Sequence, residues 1–143
     1  MENTILNTLE NAGISGTVLL QILLTLFVAI LFLQSGIDKV INYKGEQAFY
    51  KSHFKKTFLK NTVPLLMPTI TIAEIAAGLF CGLGVLMLLF TGDPSLGFLG
   101  MLLAALSIIM LFFGQRIAKD FGGAASLVPY FILTIIGLYS YLV

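Results

Sequence analysis

The chain has 143 residues, 58% hydrophobic and only 10% charged, with a formal net charge of +1 and a mean hydropathy of +1.00. Soluble domains carry charge at about a quarter of their positions, so this is not an ordinary soluble domain. The near-neutral charge excludes a nucleic-acid surface, and the single cysteine, Cys81, excludes an internal disulfide and a CxxC redox pair.

In residues 1–15, Ile5, Leu9 and Ala12 recur at helical spacing, with Glu2 and Glu10 on other faces. The pattern predicts a short helix lying on the outer membrane surface. A signal peptide would carry Lys or Arg near its start, so no cleavable leader is expected here. Four apolar segments follow, at about 16–37, 64–90, 96–114 and 124–143, each near the ~20 residues that a bilayer core demands. Pro64 and Pro68 fall in the first turns of the second segment, where a missing N–H costs least. The second and third segments are joined by Thr91-Gly92-Asp93-Pro94-Ser95, a connection short enough to make them antiparallel neighbours. Asp93 suits a capping role there, and Pro94 a first helical position.

All eight Lys and Arg residues lie in two stretches, Lys39 to Lys60 and Arg116 to Lys119. Cationic loops stay cytoplasmic, so the expected fold is an all-α integral membrane four-helix bundle with both termini outside. That placement corresponds to a multi-pass membrane protein.

The 38–63 connection is patterned. Tyr50, Phe54 and Phe58 recur every four residues, with Lys51, Lys55, Lys56 and Lys60 to their sides. This predicts an amphipathic interfacial helix, aromatics in the acyl boundary and lysines toward head groups; a solvated, topology-setting loop is the plainer reading. His53, the one histidine, reads as an interface residue rather than a ligand or catalyst. Mid-segment Cys81 reads as a small packing residue.

Glu74 lies about ten residues beyond Pro64, and a charge that deep costs at least ~2.5–3.5 kcal/mol unless paired or protonated. Its candidate partners come from three helices: Gln34 and Asp38 on one face of the first, Ser35 and Lys39 on an adjacent face, and Gln115 and Arg116 closing the third. Lys119 and Asp120 follow one turn later. Either Glu74 pairs with Arg116 or Lys39 to lock helix register, or these groups line an inner-leaflet pocket for a quinone ring or lipid phosphate, with Glu74 handling a proton. Farther out, the polar residues are Gln21, Thr25 and the Tyr139, Ser140, Tyr141 cluster. Gly78 and Gly82, at GxxxG spacing with Gly84 beyond, permit close helix approach; Gly97 and Gly100 offer a matching surface on the third segment. Such a face packs inside the bundle or against another subunit. No His or Cys set for a metal, haem or cluster is present, and no phosphate-cradling loop.

Two stretches resemble the DoxX family of small four-span bacterial membrane proteins: Phe32-Leu33-Gln34-Ser35-Gly36-Ile37-Asp38-Lys39-Val40, and Ala73-Glu74-Ile75-Ala76-Ala77-Gly78-Leu79-Phe80-Cys81-Gly82-Leu83-Gly84. Gly36, Lys39, Glu74, Gly78 and Gly84 match the family pattern, and the four-span layout covers nearly the whole chain. The resemblance implies kinship with membrane subunits of thiosulfate:quinone oxidoreductase and other redox-associated proteins. Relatives that act on disulfides carry paired cysteines, and this chain has Cys81 alone. The function expected is therefore an accessory integral subunit of a redox-linked membrane complex, surrounded by lipid and other membrane subunits, without catalytic activity of its own. The alternative is a quinone- or lipid-binding oxidoreductase component; a proton-coupled carrier ranks third.

Overall fold

A computed structural model describes residues 4–143. Among them the secondary structure is entirely helical: α1 (Thr4–Asn11), α2 (Gly16–Ile41), α3 (Tyr43–His53), α4 (Val63–Phe90), α5 (Ser95–Ile117), α6 (Phe121–Ser126) and α7 (Val128–Leu142). Four units are long and apolar enough to cross a membrane: α2, α4, α5 and the α6–α7 pair, Phe121–Leu142. Their outward faces are apolar too, with Leu23, Ile30, Leu79, Leu83, Ile109 and Ile132 all exposed. Such a surface suits lipid rather than water.

Local chemistry sets where the helices start and stop. The Ser15 hydroxyl accepts the Val18 N–H at 3.2 Å and caps α2. Asp93 accepts the Ser95 N–H at 2.9 Å, which holds its carboxyl below the ordinary range. Asp120 caps α6 by accepting from the Gly123 N–H at 2.9 Å. The fourth unit, expected as one continuous span, is broken at Leu127, because Pro129 two residues later has no N–H to carry the helix ladder through. α3 stops at His53. The Thr57 hydroxyl donates to the Phe54 carbonyl and accepts from the Leu59 N–H, so a local turn replaces helix continuation.

Close contacts fix the helix directions. A Cβ on Gly36 would meet Ile75, and one on Gly78 would meet Leu33, so α2 and α4 run antiparallel. Gly84 lies against Gly97 and Gly100 against Cys81, making α4 and α5 antiparallel as well. Met101 of α5 reaches Gly137 of α7, and Gln21 of α2 reaches Ser140. The result is a closed up-down-up-down ring, α2–α4–α5–α7, around a core of Val28, Phe32, Ala77, Met101, Ala104 and Ile108. All eight cations lie at one end of it, where α2, α4 and α5 meet α3 and α6.

Gly78, Gly84, Gly97 and Gly100 lie at close contacts inside the bundle, and Gly82 does not. A Cβ at Gly82 would have nothing within 4 Å. The α2–α4 contact is tight at Gly36–Ile75 and Leu33–Gly78, and Gly82, one helical turn later, faces away from it. Gly78 and Gly84 also serve different partners, α2 and α5 respectively. Gly82→Ala should therefore be neutral, or stabilising by up to about 1 kcal/mol from helix propensity. Gly78→Ala, whose Cβ would fall 2.8 Å from the Leu33 backbone nitrogen, should lower the unfolding temperature in detergent clearly.

Candidate functional site

The interior holds one matched charge cluster. Glu74 is 1% exposed and Lys39 is 7% exposed. The Lys39 ammonium lies 3.0 Å from Glu74 Oε2. It also donates to the Ser35 hydroxyl at 2.9 Å, and that hydroxyl donates to the same Glu74 oxygen at 3.0 Å. Ser35 and Lys39 are one turn apart on α2, so a single helix face presents both to α4. The register explains the reach. With Gly36 opposite Ile75, Glu74 stands eleven residues into α4 yet level with the last turn of α2, where Lys39 is the terminal basic residue.

Of the partners expected for Glu74, Lys39 takes the role and the others do not. Gln34 and Asp38 are exposed, one residue round the helix from Ser35 and Lys39. Arg116 is exposed at the end of α5 and packs over the Phe121 ring, 4.6 Å from its centroid. Gln115 bonds elsewhere: its Oε1 lies 2.6 Å from His53 Nε2. The inner-leaflet pocket expected to gather Gln34, Asp38, Gln115 and Arg116 round Glu74 is therefore not formed. The α2 rotation that aims Lys39 inward turns Asp38 out.

His53, read as an interface residue, ties elements together. It stacks on Phe49 at 5.3 Å, meets Phe54 edge-on at 5.2 Å, and lies 3.8 Å from Asp120 as well as against Gln115. This joins α3 to α5 and to the cap of α6. Sequence reasoning missed the connection because it depends on contacts 62 and 67 residues apart; the one signal was that His53 shares the Tyr50 side of the helix.

The aromatic stripe is also rearranged. Phe54 is 7% exposed and lies under Gly114 of α5, not in an acyl boundary, whereas Phe58 is 73% exposed and stands beyond the end of α3. Tyr50 is half-buried and stacks on Phe54 at 6.2 Å. Burial pushes its phenol above the ordinary range, Lys39 opposes that rise, and Glu46 and Glu74 add to it. Lys51 and Lys55 point out. Tyr50, Phe54 and Gln115 border an apolar cleft of about 290 Å³ between α3, α4 and α5; Glu74 is not in its wall.

At the opposite end of the bundle, Gln21 donates to the Ser140 carbonyl at 2.9 Å and Thr25 shares a 2.6 Å hydrogen bond with the Tyr141 hydroxyl, fastening α7 to α2. Tyr139 is exposed. Cys81 is buried against Gly100, as its packing reading expects. No group of three or more His, Cys, Asp or Glu side chains that could hold a metal occurs among the described residues.

No family model, curated protein or solved structure gives a significant match to this chain. The site's chemistry rests on its own residues.

Removing one partner of a buried ion pair costs about 3–5 kcal/mol, because the other charge is stranded. Glu74→Gln should therefore lower stability by about that amount in equilibrium unfolding, and Ser35→Ala by about 1–2 kcal/mol. His53→Ala should leave that pair intact and speed amide exchange selectively in 43–53.

Proposed function

We propose that this chain is a four-span integral protein of the bacterial inner membrane that serves as an accessory, non-catalytic subunit of a larger redox-linked complex. The resemblance to DoxX proteins supplies the complex. The supporting observation for a non-catalytic role is the closed Lys39–Ser35–Glu74 cluster. A carboxylate that shuttles protons or meets a ligand needs an approach from outside. Glu74 is instead almost wholly enclosed and spends its charge on the adjacent helix. The one carboxylate within the core of the bundle thus acts as a tie.

The segregation of eight cations at one end supports placing that end in the cytoplasm, with both termini and the 91–95 turn outside. On that placement α1 lies on the outer surface and α3 with its lysines at the inner one. Gly82, open on the outer side of α4 beside exposed Leu79 and Leu83, gives a neighbouring subunit's helix room to approach.

The quinone- or lipid-binding alternative keeps one specific support, the apolar cleft bordered by Tyr50 and Gln115. It loses its original pocket, because Gln34, Asp38 and Arg116 lie away from Glu74.

Gentle detergent extraction of the tagged full chain from its native membrane, followed by cross-linking and mass spectrometry, tests the accessory reading. Other membrane proteins should be recovered in fixed ratio to it. A stable isolated monomer with no cross-linked partner would count against the reading.

A further inference from the structure

The cleft has a structural origin. Leu33 opposes Gly78 and Gly36 opposes Ile75, so the end of α2 at Ile41 falls near Ile70 of α4. Residues 63–70 of α4 run on for about two more turns against the end of α5. α3 and the 54–62 turns cover that extension only in part. What remains is a space of about 290 Å³, at the lower edge of the ~300–1,000 Å³ typical of small-ligand sites. Met67 and Ile70 of α4 and Met110 and Phe113 of α5 form its walls. Tyr50, Thr69 and Gln115 supply the polar side chains of its lining.

The covering segment adds a charge pattern. Its three lining residues, Tyr50, Phe54 and Leu59, are each followed directly by a lysine, and Lys51, Lys55 and Lys60 are all exposed. Lys56 is exposed beside them, and no Asp or Glu occurs between Glu46 and Glu74. Glu46 lies one turn before Tyr50 on α3, and Asp120 lies 3.8 Å from His53. An apolar cleft thus adjoins a segment that carries four exposed lysines.

We propose that the cleft takes one acyl chain of an anionic phospholipid whose phosphate is held by Lys51, Lys55 and Lys60. This rests on the membrane placement proposed above and on no other part of that reading. A hydrocarbon tail gains little by moving from bilayer to cleft, since lipid tails are as apolar as the cleft wall. Selection therefore falls to the head group, where the lysines favour an anion over a zwitterion or a neutral quinone. The cleft orients the lipid, and the lysines choose it.

The test is native mass spectrometry on the full chain in mild detergent, with phosphatidylglycerol and phosphatidylcholine of identical acyl chains in competition. The wild-type chain should retain one phosphatidylglycerol in preference. The triple variant K51Q/K55Q/K60Q should reduce that preference by about fivefold per lysine, on the order of a hundredfold in all. Met110→Trp, which fills the cleft from an exposed position, should abolish retention with every lysine in place. Equal retention of the two lipids, an unaltered preference in the triple variant, preferential retention of a neutral quinone, or a protein partner shielding the lysines would each overturn the proposal. Should either variant misfold, the competition on the wild-type chain decides alone. Carbonate extraction separates the two failures: a chain released from membranes refutes the placement, whereas a retained chain without lipid preference refutes only the site.

Discussion

A carboxylate inside an apolar bundle is tolerable only if something meets it, and in this protein that requirement organises one whole helix pair. Glu74 is met by Lys39 directly and by Ser35 between them. The Ser35 hydroxyl is on a short side chain, so its bond to Glu74 depends on backbone proximity. Gly36 and Gly78 provide it, one on each helix and both on the core side of the ion pair. Close approach and charge pairing are thus mutually dependent. The glycines bring the helices together, and the pair fixes their axial register at a cost that an apolar contact would not incur.

That register propagates. Because Lys39 is in the last turn of α2, matching it to Glu74 leaves the first two turns of α4 standing beyond α2. α5 stays with α4 through Gly84–Gly97 and Cys81–Gly100 and therefore overhangs as well. α3 folds back over this overhang, secured by Phe54 under Gly114 and by His53 between Gln115 and Asp120. The cationic end of the molecule, with its cleft and lysine row, follows from where a single ion pair sets the level of one helix.

The spans were legible in the sequence because hydrophobic length and charge segregation are properties of the chain alone. Glu74 and Lys39 were legible as candidates for the same reason: an interior acid demands a partner. Which cation would answer was not legible. Lys39 is brought level with Glu74 by Gly36 and Gly78, whose partners lie about 40 residues away in sequence, whereas the Gly84–Gly97 contact carries Arg116 of α5 past it. The GxxxG spacing marked Gly82 as part of a small-residue face, but spacing alone does not say that Gly82 meets no neighbour inside the bundle. The Tyr50, Phe54, Phe58 period misled. It presumed a helix that Thr57 ends by taking the backbone into a turn, and Phe54 is drawn inward by a glycine 60 residues on.

The central claim is that Lys39 and Glu74 act as one structural unit. Charge reversal tests it most directly, by equilibrium unfolding of Lys39→Glu, Glu74→Lys and the double reversal in the same detergent. Each single variant places two like charges inside the bundle and should fail to fold or lose most of its stability. The double reversal should recover much of that loss. Single reversals that fold normally, or a double reversal no more stable than either, would contradict the account.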